Sequence, residues 1–182
     1  MGADDSANVK PIKAPALTPI SIPARLADTP SDAPKYAVTV QDRAGAEVIV
    51  ADPNATRAAV ALMNVHAVVG GAACHWGGPA AFAEIMAATH ALMFATKGRQ
   101  WHQAYHFVND AGHTENGVYA LRANYAFDGM SYETLRGFRG IESKLTGHGE
   151  SHINPEGILI SNGPLGSGLP QAQGLAIGDK MA

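Results

Sequence analysis

Eight histidines in a chain with little other charge are the residues best suited to chemistry. An imidazole titrates near neutral pH, so it can take or give a proton where most side chains cannot. Three of the eight sit beside small residues: Ala73-Cys74-His75-Trp76-Gly77-Gly78, Ala111-Gly112-His113-Thr114 and Thr146-Gly147-His148-Gly149. Glycines next to a loop histidine let a ligand approach the backbone closely. His75, His113 and His148 are therefore candidates for one site of imidazoles, suited to proton transfer and to hydrogen bonding with a hydroxylated or phosphorylated substrate. Incidental loop histidines are the competing reading. His66 and His90 fall inside expected helices, at the surface or the core edge. His102 and His106 are spaced i, i+4, as are His148 and His152, but Gly147 and Gly149 argue against a helix at the second pair. No HExxH or Cys/His pattern completes the three or four converging ligands of a zinc site, so no metal site of histidines is expected. Cys74 is the one cysteine. It excludes an intramolecular disulfide and reads as a small buried hydrophobe rather than a nucleophile.

These loops need elements to hold them. Asp52-Pro53 reads as an N-cap and N1 pair. Val60, Leu62, Met63, Val65, Val68 and Val69 follow at helical positions, and Gly70-Gly71 supplies the stop. A second helix is expected from Pro79, with Phe82, Ile85, Met86 and Met93 on one face and Thr89 as its polar interruption. Gln103–Val108 reads as a strand, residues 115–126 as a helix with Val118, Leu121, Arg122 and Tyr125 in register, and Ser131 as the cap of a short helix through Phe138. Gly157–Ser161 is a strand candidate that enters Asn162-Gly163-Pro164-Leu165-Gly166-Ser167-Gly168, and a helix then runs towards Ala182. A glycine-rich turn at a helix N-terminus suits an anion or a cofactor edge, or is a plain tight turn. It is neither a Walker loop, lacking Gly-Lys-Ser/Thr, nor a GxGxxG fingerprint, because Gln171 stands where the third glycine belongs.

Six of the eleven prolines lie in Pro11–Pro34, which marks an extended leader, mobile or draped over a partner. Met1–Lys13 carries Asp4, Asp5, Lys10 and Lys13 with no apolar stretch after it, unlike a secretory signal. Residues 36–50 read as two short strands around Asp42-Arg43-Ala44-Gly45. Across all 182 residues, 13 Lys and Arg against 16 Asp and Glu give a net charge of −3, with no electrostatic reason to bind nucleic acid or anionic lipid. No stretch approaches the roughly 20 apolar residues of a membrane span. The apolar faces of the first two helices are large for so few strands, so self-association or a partner is expected.

Four segments, in order, resemble transketolases. Asn64 to Met86, with His75-Trp76-Gly77-Gly78-Pro79 and Ala83-Glu84-Ile85, is similar to the family's first helix-loop-helix. Phe107-Val108-Asn109-Asp110-Ala111-Gly112-His113 is similar to its strand that ends in Gly-His. Ser131 to His148 is similar to its segment running from a Phe-Arg pair to a second Gly-His. Gly157 to Ala176 matches its glycine-rich segment without a gap at Gly163-Pro164-Leu165-Gly166, Gly168 and Gly174. The resemblance implies an incomplete thiamine-diphosphate-binding fold, the N-terminal part of a three-layer α/β/α domain. Residues 1–52 would be a Pro-rich leader with a possible β-hairpin, and 53–182 the transketolase-like segment.

By the same resemblance, His75 would contact substrate hydroxyls and assist proton transfer, His113 would lie near thiamine diphosphate, and His148 would touch the substrate. Gly163, Pro164 and Leu165 would line the aminopyrimidine. Trp76 and Gly149 stand where the family has other residues, and Asp110-Ala111 lengthens the strand end by one. The family's Gly-Asp-Gly motif, which holds Mg²⁺ and the diphosphate, has no counterpart before Ala182. Two functions follow: a component or fragment of a cytoplasmic enzyme moving a two-carbon ketol unit between sugar phosphates, working as a homodimer or with a partner polypeptide, or a catalytically inactive, truncated relative acting only as an interaction module.

Overall fold

The computed structural model describes residues 30–97, 101–102 and 104–181. Most of the Pro-rich leader lies outside them. Its last stretch packs on the chain itself: Pro30 and Pro34 are buried, Ser31 N–H donates to the Tyr125 carbonyl at 2.7 Å, and Lys35 N–H donates to that of Asn124 at 2.9 Å.

Strands β1 (Ala37–Gln41) and β2 (Glu47–Ala51) form an antiparallel hairpin that pairs Ala37 with Ala51 and Thr39 with Ile49. The turn is built by Asp42, whose Oδ1 accepts from the amides of Ala44 (2.8 Å) and Ala46 (2.9 Å). Gly45 takes the left-handed φ of 84° that this tight reversal requires. Only Val50 and Ala51 of the hairpin are buried.

Helix α1 (Pro53–Val69) starts as its sequence dictates, with the Asp52 carboxylate accepting from Asn54 N–H at 2.8 Å. It ends where Gly71 turns left-handed at φ 86° and the Ala72 amide reaches back to the Ala67 carbonyl. Its buried stripe is Thr56, Ala59, Val60, Met63 and Ala67. Leu62, Val65 and Val69 point outward, at 62%, 59% and 84% exposure. The expected second helix begins two residues before Pro79 and breaks once. Helix α2 (Gly77–Ala81) stops at Phe82, and α3 (Ala83–Lys97) continues. On α3 it is Met86, Ala87, His90, Met93 and Phe94 that go inside, while Ile85 is exposed. Arg57 of α1 holds Glu84 of α3 through both carboxylate oxygens at 2.5 Å.

Helix α4 (Glu115–Asn124) is the centre of the fold, and every one of its residues is buried. It packs against α1, α2 and α3. Around its C-terminal end Phe94, Trp101, Tyr125 and Phe127 make an aromatic cluster, with ring centroids 5.0 Å apart for Phe94–Tyr125 and 5.5 Å for Phe94–Trp101. Besides Tyr119, whose hydroxyl lies 3.4 Å from Thr146 Oγ1, four polar side chains of α4 each fasten a different segment. Asn124 takes Tyr36 by its backbone N–H (2.7 Å) and C=O (2.8 Å). Arg122 donates to the Gly157 carbonyl and to His90 Nε2. Glu115 and Asn116 hold the loops described below.

After α4 the chain forms 3-10 turns at Phe127–Gly129 and Thr134–Gly137. Ser131 caps the second: its hydroxyl accepts from Thr134 N–H, and its own N–H donates to Thr134 Oγ1. Helix α5 (Gly168–Met181) closes the chain, with Leu169, Ile177 and Met181 exposed.

Two strand expectations are corrected. Residues 104–108 and Gly157–Ser161 make no ladder among the described residues, where β1–β2 is the one sheet. A strand is defined by the neighbour it hydrogen-bonds to, and neither segment has another strand beside it. What remains is a helical part of an α/β domain with a small two-stranded sheet, consistent with an incomplete thiamine-diphosphate-binding domain.

Candidate active site

The loop that joins α1 to α2 carries His75, and two side-chain amides fix it, that of Asn116 buried and that of Asn64 partly exposed. Asn64 Nδ2 and Asn116 Nδ2 both donate to the His75 carbonyl, at 2.9 and 3.0 Å, and Asn116 Nδ2 also reaches Asn64 Oδ1 at 3.1 Å. The side chain of His75 is left free to face outward. The turn before α4 carries His113, and the two imidazole centroids are 4.8 Å apart, tilted by 47°. Close packing accounts for the glycines here. A Cβ on Gly78 would stand 2.7 Å from Thr114 Cγ2 and 3.4 Å from His113 Nε2.

Below the rings lies a buried polar clasp. Glu115 Oε2 accepts from Asn109 Nδ2 at 2.7 Å and from Asn162 Nδ2 at 2.9 Å. Asn162 Oδ1 in turn accepts from the Gly149 amide at 2.7 Å, and Asn162 N–H donates to the Gly149 carbonyl at 3.0 Å. Three loops, around 109–114, 147–149 and 162–165, are thus locked to one carboxylate. His148 comes with them. A Cβ on Gly112 would collide with the His148 ring, with Asn162 Oδ1 at 2.6 Å and with Gly163 Cα at 3.0 Å. Gly163 has φ 153°, a conformation that favours glycine, and a Cβ there would lie 3.9 Å from His148. Pro164 and the 71%-exposed Leu165 continue from it along the surface.

His75, His113, His148 and Gly163 are therefore brought together, with Pro164 and Leu165 at the margin. His66 and His152 are elsewhere on the surface. His106 pairs with Asp179 of α5 at 2.9 Å. His90, expected at the surface or core edge, is fully buried. Its Nδ1 lies 3.1 Å from the Met86 carbonyl, and burial, helped by Arg122, pushes its pKa down to about 3. His75 is exposed as a residue, yet the surrounding loops strip part of its hydration. That, followed by the charges of His113, Arg139 and His148, holds its pKa below the ordinary value. A neutral imidazole can accept a proton from a hydroxyl or donate one hydrogen bond.

The glycine-rich turn differs from expectation in one respect. The amides at the start of α5 are already bound by an anion from this chain. Asp110 Oδ1 accepts from Gly168 N–H at 2.5 Å and Leu169 N–H at 3.3 Å, and Oδ2 accepts from Gly166 N–H at 3.2 Å. Sequence reasoning does not reach Glu115, Asn116 and Asn162 as site residues, although each is a buried polar side chain here. An acidic residue and an amide directly after Gly-His-Thr are the available signal.

Paired imidazoles stand beside glycine-lined loops, held by a buried helix of a partial α/β domain. Residues 53–182 match the family described as transketolase, thiamine diphosphate binding domain, and the chain belongs to that family. It is 35% identical to a transketolase of Dictyostelium discoideum over 122 residues, 66% of this chain and 18% of that protein. It is 37% identical to the chloroplastic transketolase-1 of Arabidopsis thaliana over 89 residues, 49% of this chain and 12% of that one. A Rhodobacter capsulatus transketolase is 30% identical over 125 residues, 67% and 18%. The chain thus spans less than a fifth of the length of these relatives. No solved structure matches it. Among the described residues, no helix is long and apolar enough to cross a membrane.

Proposed function

We propose that these 182 residues are the front of the cofactor-binding domain of a cytoplasmic transketolase-type enzyme, which moves a two-carbon ketol unit between sugar phosphates. The observation that supports this reading most is the juxtaposition of His75 and His113 with the Gly163–Leu165 loop. Thiamine diphosphate, when bound, supplies the carbanion chemistry. The residues fit its organic part. A Cβ on Gly77 would meet nothing within 4 Å, so the backbone there is open to a ligand, and Leu165 offers an exposed apolar surface for an aromatic heterocycle. The residues do not fit its metal. Among the described residues no group of three His, Cys, Asp or Glu gathers, and the α5 N-terminus is taken by Asp110. Mg²⁺ and the diphosphate would be held by further polypeptide, and no step is assigned to them here.

In this reading His75, neutral at working pH, exchanges a proton with a substrate hydroxyl. His148 hydrogen-bonds a second hydroxyl, and His113 stands against the cofactor. Asn64 and Asn116 aim His75 by its carbonyl, and Glu115 keeps the His113 and His148 loops at fixed separation. The exposed ridge of Leu62, Val65 and Val69 and the outer face of α5 are covered by the rest of the enzyme or by a second copy. A specific contact of that kind typically buries about 1,600 Å² in total.

The test is turnover. Purified chain with thiamine diphosphate, Mg²⁺, a ketose phosphate and an aldose acceptor should show none. Adding a polypeptide that carries the remaining transketolase sequence should restore it, and His75→Ala should abolish the restored activity. Turnover by the chain alone would overturn the component reading. Failure of every complementation, with the chain folded, would favour the inactive interaction module.

A further inference from the structure

Trp76 follows His75 in the chain, and the two tryptophans of the protein are treated very differently by the fold. Trp101 is fully buried in the aromatic cluster, whereas Trp76 is 47% exposed. Cys74, two residues before it, and Phe82, six after it, both pack against the hydrophobic core. Between them His75, Trp76 and Gly77 form an exposed run. An indole is among the largest apolar surfaces a chain can bury, and a half-exposed one leaves much of that gain unused.

The ring is exposed, but its backbone is held. On one side the His75 carbonyl takes Asn64 and Asn116. On the other the Trp76 carbonyl accepts from Ala80 N–H at 3.0 Å as α2 begins. Both ends of this short turn rest on the second imidazole. The His75 ring centroid is 4.8 Å from that of His113, and a Cβ on Gly78 would stand 3.4 Å from His113 Nε2. Trp76 lies between those two contacts, in a chain whose adjacent Cα atoms are about 3.8 Å apart. Beside it a Cβ on Gly77 would meet nothing within 4 Å, so the turn has an open side.

An indole next to two imidazoles suits a particular ligand chemistry. Imidazole nitrogens hydrogen-bond hydroxyls. An aromatic face is electron-rich and attracts C–H groups made electropositive by the oxygen they carry. A polyhydroxylated carbon chain offers both, with hydroxyls along one edge and polarised C–H groups along another. A free inorganic anion would engage the imidazoles alone.

We propose that Trp76 is a specificity-determining residue: its indole is the platform on which the carbon chain of a polyhydroxylated substrate lies while His75 takes a hydroxyl. A longer chain covers more of the ring, so affinity rises with the number of hydroxylated carbons. The idea rests on reading the imidazole cluster as the substrate site, and its test separates the two.

The experiment uses the whole chain without cofactor and two readouts, tryptophan fluorescence and the NMR signals of the His75 ring. Trp101 is sealed from solvent, so a ligand that covers an indole acts on Trp76. Titration with a six-carbon ketose phosphate should shift the emission to the blue and move the His75 signals with one saturation curve. A three-carbon hydroxyketone phosphate should bind more weakly, and inorganic phosphate should leave the emission unchanged. By the His75 signals, Trp76→Ala should weaken binding of the longer sugar about fivefold or more, and Trp76→Phe, which keeps an aromatic face, by about twofold at most. Sugar binding at His75 with the same affinity in Trp76→Ala overturns the platform and leaves the substrate site standing. His75 signals that no sugar moves overturn both. A blue shift that follows protein concentration rather than sugar means that a second copy covers the ring, and it too overturns the proposal. The fluorescence of the parent chain decides even where a variant does not fold.

Discussion

The carboxylate of Glu115 and the carboxamide of Asn162, 47 residues apart in sequence, meet at 2.9 Å beneath the imidazole cluster. Both are buried, and the same carboxylate oxygen also takes Asn109 at 2.7 Å. A buried charge is tolerated only where donors replace its lost hydration, and two amides do so here. Removing the carboxylate takes the charged acceptor from both, leaving Asn162 Nδ2 the Asn109 carbonyl at 3.0 Å and Asn109 Nδ2 only the longer contact to the Ala111 carbonyl at 3.4 Å.

Glu115→Ala should therefore lower stability by about 2–4 kcal/mol, since hydrogen bonds to a charged group are worth about 1.5–3 kcal/mol each and the partners stay buried. Glu115→Gln should lose less, keeping one acceptor. Urea midpoints of the two variants against the parent check the order. Equal midpoints for all three would mean that the clasp contributes nothing.

Gly112→Ala should be costly despite adding one carbon. Its Cβ would meet Asn162 Oδ1 at 2.6 Å and the Gly163 backbone at 3.0 Å, and backbone cannot swing away. Overpacking of this kind costs about 1–3 kcal/mol. Thiamine diphosphate affinity of the complemented enzyme should fall at least tenfold, read by calorimetry, whereas Gly45→Ala in the hairpin turn should leave that affinity unchanged.

Acid should destabilise the chain through His90. Its native pKa is pushed down to about 3, while an unfolded histidine titrates near 6.5. Above 6.5 neither state binds this proton and the stability is complete. As the pH falls below 6.5 the unfolded chain takes up a proton that the native state refuses, until the native value is reached. The slope from this one group approaches ~1.4 kcal/mol per pH unit. Thermal midpoints between pH 7.5 and 4.5 should drop steeply in the parent and less steeply in His90→Gln.

Asp110→Ala should loosen α5. Three amides at its start lose their acceptor together. An N-cap loss costs about 1 kcal/mol, and α5 has few buried residues to compensate. Far-ultraviolet circular dichroism should report less helix, with protease cleavage moving to residues 166–169.

Cys74→Ser should change neither complemented turnover nor stability by more than a small factor. The thiol is partly buried beside the Asn64 carbonyl, and the proposed ketol transfer would use the cofactor's carbon rather than a sulfur nucleophile. A loss of several orders of magnitude in turnover would contradict this.

Features that rest on neighbours in the chain are legible in the sequence. Asp52-Pro53, Gly70-Gly71, the Asp42–Gly45 reversal and Ser131 all act within a few residues, and each stands where local chemistry puts it. Ladders depend on a partner strand, which a local pattern cannot supply, so residues 104–108 and 157–161 form none despite their strand-like composition. Composition also misleads on α1. Leu62, Val65, Val68 and Val69 have the same chemistry as Val60 and Met63 but lie on the outward side. The three glycine-flanked histidines are legible because a tight loop leaves its mark in the residues beside it. Glu115, Asn116 and Asn162 are not, because their partners lie far along the chain or on loops with no pattern of their own.

Helix α4 has a consequence for how the site opens and closes. Its polar side chains tie it to the hairpin entry, to the Gly157 carbonyl, to the His75 loop and to the Asn109–Asn162 clasp. Rotating it by one residue would turn each side chain by about 100° and break all four ties at once. The helix therefore has a single register and no neighbouring one to slip into. Amide hydrogens of the His113 and Asn162 loops should exchange with solvent only as fast as the helix itself lets go, so their protection factors should rise and fall with the stability of the whole core.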